Sequence, residues 1–152
     1  MRKWQKLTLA TSVAVAAACA LAGSAASRQG LRDASVIELL GRPDEYDGTP
    51  VRVTGFLHCK FEDSSIFVAK EHADYLMNGY GLWVSIEPDA VRFQPKERKT
   101  LYDFDGKYVL LEGTFKKGRS GHLGAFNGEI REVHRVMELT RYYDGAEEVS
   151  RR

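Results

Sequence analysis

The stretch Tyr46–Gly55, YDGTPVRVTG, decides how this chain is read. Its Asp-Gly pair is turn chemistry, because glycine takes positive φ freely and aspartate bonds to nearby backbone. Beyond the turn, Val51, Val53, Leu57 and Cys59 alternate with Arg52, Thr54, Phe56, His58 and Lys60. That period of two belongs to a strand with one face inward. Phe104–Gly113, FDGKYVLLEG, repeats the pattern: an aromatic, Asp-Gly, a valine, an aliphatic residue and a closing glycine at the same offsets. Tyr143-Asp144-Gly145 repeats the opening three residues, but AEEVSRR follows and no strand does. The tripeptide alone is therefore only a turn. The ten-residue pair reads as two matching strands, bent where Gly55 and Gly113 leave room.

Outward from this pair the order is short helix, three strands, a connection and two strands. Ser35 precedes Glu38 by three residues, the spacing of a capping box, and Val36, Leu39 and Leu40 share one helical face before Gly41 and Pro43 end it. SIFVA, from Ser65, reads as the second strand and Gly81–Ile86 as the third; between them Ala73, Leu76 and Met77 have helical spacing. Pro88–Tyr102 is a charged connection with a helical turn near its end, Lys107–Phe115 is the fourth strand, and Ala125–Leu139 is the fifth. This predicts a mainly β fold: a five-stranded, OB-fold-like Greek-key barrel with a short N-terminal helix and helical connections, in which strand one pairs with strand four.

The first 26 residues stand apart. Arg2, Lys3 and Lys6 precede the apolar run Leu7–Ala22, and the small residues GSAAS follow. A basic head, a short apolar run and a small-residue exit make a secretory signal peptide. Two processing routes fit: cleavage after Ala26, or lipidation of Cys19, which ends the lipobox-like Ala16-Ala17-Ala18-Cys19. The expected layout is a signal peptide at 1–26, a polar lead-in at 27–34, the barrel at 35–139 and a polar tail at 140–152. The expected location is the periplasm, with a lipid-anchored envelope protein as the alternative; membrane contact is expected only through Cys19. Losing the leader's three bases leaves 19 of the chain's 22 against 21 acids. A net charge of −2 offers no footprint for a nucleic-acid backbone. Cys59 is then the sole cysteine, so packing rather than an internal disulfide must stabilise the domain.

The segments VIELLGRPDEYDGTPVRVTGFL, YDFDGKYVLLEGTF and GHLGAFNGEI resemble an uncharacterised family of small exported bacterial OB-fold proteins. The resemblance is one of fold, runs from about Ser35 to Leu139, and implies an OB barrel with no catalytic motif to carry over. Bacterial OB-fold proteins bind nucleic acids or sugars or act as assembly modules, and the barrel alone does not choose among these.

No histidine or cysteine spacing makes a metal site, since neighbours such as His58 and Cys59 face opposite ways on a strand. Neither a nucleophile elbow nor a phosphate loop is present. No cofactor, metal or catalytic residue is expected. The candidate ligand surface is the outward side of strands one to three, with Phe56, Phe67 and Trp83 edged by Arg52, His58 and Lys60. The alternative for those aromatics is a secondary core under a helix or connection. Lys116, Lys117, Arg119 and His122 form a second candidate, a basic loop between strands four and five. The expected function is an exported binding module for an envelope protein or glycan, using that face and loop. The alternatives are an oligonucleotide-binding domain and a small envelope hydrolase.

Overall fold

The computed structural model describes residues 30–140. The expected signal peptide, Cys19 and the tail from 141 lie outside the described residues. The strands are β1 (Arg32–Ser35), β2 (Pro50–Lys60), β3 (Asp63–Phe67), β4 (Gly81–Val84), β5 (Arg92–Gln94), β6 (Lys107–Ser120) and β7 (Phe126–Glu138). The helices are α1 (Val36–Gly41), α2 (Pro43–Tyr46) and α3 (Lys70–Asp74), with 3-10 turns at Asn78–Tyr80, Pro88–Ala90, Leu101–Phe104 and His122–Gly124. β2, β3, β4, β7 and β6 pair in a ring that closes when β6 returns to β2. The β4–β7 pairing is parallel and the other four are antiparallel. This is the closed five-stranded barrel expected, joined by two short strands, β1 and β5, that pair in parallel with β2 and β7.

The repeated decapeptide has a geometric cause. The two copies lie side by side in β2 and β6 about a local two-fold: Val51 pairs with Gly113 and Gly55 with Val109. Their turns obey the same symmetry. Gly48 donates its N–H to the Phe115 carbonyl at 2.9 Å, and Gly106 donates to that of Leu57 at 2.9 Å. Asp47 accepts the Lys117 N–H at 3.1 Å and the Lys116 ammonium, and Asp105 accepts the Cys59 N–H at 2.8 Å and the Lys60 ammonium. Both turn glycines hold φ near +70°, where a side chain is disfavoured. Each Asp-Gly turn thus clips one strand to the far end of its twin.

Gly55 marks the point where β2 changes neighbours. Phe56–Lys60 pairs with β3, while Val51–Thr54 pairs on β1. A Cβ on Gly55 would stand 2.5 Å from the Phe67 carbonyl oxygen, so only glycine lets the strands cross this closely. Gly113 plays the same part in β6, beside a register shift against β7, and its Cβ would lie 2.8 Å from the Arg131 carbonyl oxygen. The inward positions Val51, Val53, Leu57, Ile66, Leu82, Val109, Leu111, Phe115, Ile130 and Val136 are fully buried. At about 25 cal/mol per Å² of apolar surface, such burial is the main stabilising term. One mouth of the barrel is closed by α1, which inserts Val36 and Leu39; the other is closed by Leu101 and Phe104. The Ser35–Glu38 capping box forms as read: the Glu38 N–H donates to Ser35 Oγ, and the Ser35 N–H donates to Glu38 Oε2.

Beyond the strands read from the sequence, Arg32–Ser35 adds to the β2 edge that β3 vacates at Gly55. Two expectations need correction. α3 stops at Asp74, so Ala73 is buried while Leu76 and Met77 stand in solvent. The basic loop is mostly strand: β6 continues through Lys116–Ser120.

Candidate functional site

The outward side of β2, β3 and β4 carries two rows. Phe56, Phe67 and Gly81 share one, and His58, Ser65 and Trp83 share the next. The first row is closed. Phe56 and Phe67 are buried with Ala73 of α3 and Phe126 at the start of β7, forming a second, smaller apolar cluster outside the barrel. The Phe67 ring lies 6.0 Å from that of Phe126, and the Phe56 ring 5.4 Å from that of Tyr108, both edge to face. Gly81 makes room for this, since a Cβ there would stand 2.7 Å from the Phe67 ring. Phe56 and Phe67 are therefore packing residues rather than an open stacking surface. The reason is tertiary: the β3–β4 connection folds back over them, which alternation within a strand does not reveal.

Trp83 remains as the half-buried aromatic at the edge of this cluster. Its indole is wedged by Phe126, 5.8 Å away, and by Gly121 at the tip of the β6–β7 hairpin. A Cβ on Gly121 would come within 2.6 Å of the indole, and φ is +74° there, so glycine is required twice over. Beside it in the row, the buried Ser65 donates its hydroxyl to Asp63 at 2.9 Å. His58 sits partly exposed between two carboxylates, with Nε2 3.8 Å from Asp63 and Nδ1 4.0 Å from Asp105. Burial pushes the Asp105 carboxyl up, but the Cys59 amide and the Lys60 ammonium outweigh it and hold its pKa below the usual value. Lys60 is thus engaged by Asp105 rather than presented alone. Cys59 faces the core, where burial pushes its thiol up and keeps it protonated.

On the hairpin, Lys116 pairs with Asp47 at 2.9 Å and Lys117 pairs with Asp44, so α2 and the turn after it offset both ammoniums. The Lys116 side chain and the Lys117 amide hold the Asp47 pKa below its usual value. Arg119 donates Nε–H to the Gly124 carbonyl at 3.0 Å, and His122 stands exposed at the tip. The four basic residues do share one hairpin, but only Arg119 and His122 have no carboxylate partner among the described residues.

Sequence reasoning missed a polar cluster on the outside of β2, β6 and β7. The Glu112 carboxylate is buried and accepts from Arg52 Nε at 2.9 Å and Arg135 Nη1 at 3.0 Å, with His134 Nε2 at 3.4 Å. Arg52 reaches on to Asp33 and Arg135 to Gln94, so one charged rung crosses five strands. Burial pushes the Glu112 pKa up, but the two guanidiniums more than reverse this and leave it lowered. Arg52 therefore braces the barrel and does not edge the Trp83 row. Removing one partner of such a buried cluster is costly, because the others are left unpaired. The readable signal was an acid in an otherwise aliphatic strand twin to one carrying Arg52; the pairing register needed to join them was not readable.

Among the described residues, no group of three or more His, Cys, Asp or Glu side chains could hold a metal ion, and no helix is long and apolar enough to cross a membrane. The ring of strands and its parallel closure define the class: an OB-like β-barrel domain. Neither a protein-family model nor a curated protein sequence matches the chain. A crystal structure from Leishmania major Friedlin, described as an aspartyl-tRNA synthetase, aligns with a TM-score of 0.43 and 15% identity over 78% of this chain and 23% of that one. The chain spans less than a quarter of that protein's length.

Proposed function

We propose that the domain is a binding module that takes an envelope protein or glycan on the Trp83 row, between the β2–β3 turn and the β6–β7 hairpin. The observation that carries this reading is Trp83 itself. It is a large aromatic left partly exposed on the barrel side that OB-folds use for ligands, and Gly121 and Phe126 flank its indole. A pre-positioned ring edged by hydrogen-bonding groups can stack on a sugar face or take an apolar side chain at little entropic cost. His58 and Asp63 supply the polar edge, and Arg119 and His122 of the hairpin supply positive charge beside it. Export, expected from the leader, directs the choice toward envelope partners. Oligonucleotide binding is disfavoured, because the hairpin's two lysines are already satisfied by Asp44 and Asp47.

Trp4 belongs to the leader, so Trp83 is the only indole of the processed protein and reports on its own site. Titration with envelope polysaccharides in one arm and envelope protein extract fractions in the other should shift its emission and raise the melting temperature. Emission quenched freely by iodide in the presence of every fraction, with no thermal shift, refutes the site. Salt-dependent binding of single-stranded oligonucleotides would favour the alternative.

A further inference from the structure

Among the described residues ten large apolar side chains stand in solvent, and six of them cluster in three neighbouring elements. Ile37 belongs to α1; Tyr75, Leu76, Met77 and Tyr80 belong to the β3–β4 connection; Leu123 belongs to the hairpin tip. α1 packs against the Asn78–Tyr80 turn, and that turn packs against β7, which begins two residues after the tip. The six therefore share one end of the barrel, whereas exposed Phe61 and Tyr102 belong to turns at the other. Leu76 and Leu123 are 64% and 88% exposed, and both hold positive φ, near +50°. Glycine or asparagine would suit such backbone better, yet here it lifts a leucine into water.

We propose that this end of the barrel docks on a lipid bilayer. Tyr75 and Tyr80 have the amphipathic rings that settle at headgroup level, and Leu76 and Leu123 can enter the acyl boundary. Glu71 and the Lys70–Asp74 pair lie on the helix before Tyr75, so apolar contact carries the binding. The chain before the barrel selects a bilayer over other occupants. Cys19 and the apolar run Leu7–Ala22 end within eleven residues of Gly30. Even fully extended, eleven residues reach only about 40 Å, close to the width of a domain this size. A lipidated Cys19 would hold the barrel against the membrane, where one acyl chain alone binds weakly and a second contact is needed. The indole of Trp83, touched by Gly121 two residues before Leu123, lies beside the docked end.

The test uses the exported protein carrying Cys19→Ser and cut after Ala26, so that neither an acyl chain nor the apolar run Leu7–Ala22 remains and the surface contact is isolated. An environment-sensitive thiol dye is placed through Leu76→Cys, Leu123→Cys or, as a far-end control, Tyr102→Cys; Cys59 is buried. With vesicles of phosphatidylethanolamine and phosphatidylglycerol, emission should shift to the blue at 76 and 123 but not at 102. Joint Leu76→Ser and Leu123→Ser substitution should weaken partition by at least about tenfold. Absence of partition at any lipid concentration, or equal shifts at all three positions, overturns the proposal. A dimer in sedimentation velocity that Leu76→Ser dissociates, without vesicle binding, assigns the surface to a second copy and overturns it equally. Partner binding is read on Trp83 in lipid-free buffer, so failure of either reading leaves the other standing.

Discussion

Replacing Gly55 by alanine tests the claim that a single hydrogen atom's width lets β2 pass from β3 to β1. The added methyl would meet the Phe67 carbonyl oxygen at 2.5 Å and the Ile66 side chain at 2.7 Å. Ile66 is fully buried, and the carbonyl belongs to a strand paired on both sides, so neither can swing away. Gly55 is not among the positive-φ glycines, so the cost is steric rather than torsional. Overpacking of this kind costs about 1–3 kcal/mol, and a backbone oxygen as the obstacle places the site at the upper end. Alanine also restricts the unfolded chain and returns roughly 0.4–1 kcal/mol. The net expectation is a loss of about 2 kcal/mol, or some 10 °C in melting temperature for a domain of this size. The control is Gly79→Ala, where no atom lies within 4 Å of the new methyl and φ is not positive. Urea unfolding followed by circular dichroism should show a lower midpoint for Gly55→Ala, an unchanged slope, and little or no loss for Gly79→Ala. Equal midpoints for the two variants would refute the crossing argument, and Gly113→Ala should behave like Gly55→Ala.

Gly121→Ala should push the hairpin tip off the indole, red-shifting Trp83 emission and easing its quenching by iodide. Glu112→Gln should destabilise the barrel and flatten its acid sensitivity. Glu112 has a folded pKa below its unfolded one, so its contribution is present above the usual glutamate range and is lost as pH falls through the folded value. Unfolding midpoints measured from pH 7 downward should therefore converge for wild type and variant in acid. Ser35→Ala should cost about 1 kcal/mol by leaving the Glu38 amide without its cap, readable in the same urea assay.

Much of the barrel was legible because its signals are local. Alternation in β2 and β6, Asp-Gly turns with a second glycine seven residues on, and the Ser35–Glu38 box each depend on residues close in sequence. The short strands β1 and β5 were not legible, since four or three residues show no period. The candidate site fared worse for a different reason. Phe56, Phe67 and Trp83 all alternate outward, yet α3 and Phe126 cover the first two and leave the third half-open.

The chain's own residues determined that two decapeptides become twin strands, that turns precede them, and that Gly55 and Gly113 sit at bends. Only the tertiary structure decided that the twins face each other about a two-fold, because pairing register depends on partners some 58 residues away. It also decided that Arg52 and Glu112 meet in one rung, that α2 offsets the hairpin lysines, and that six exposed apolar side chains gather at one end. Periodicity assigns a side chain to a face. What lies over that face is settled by segments distant in sequence, and their closure entropy is met only when the whole barrel forms.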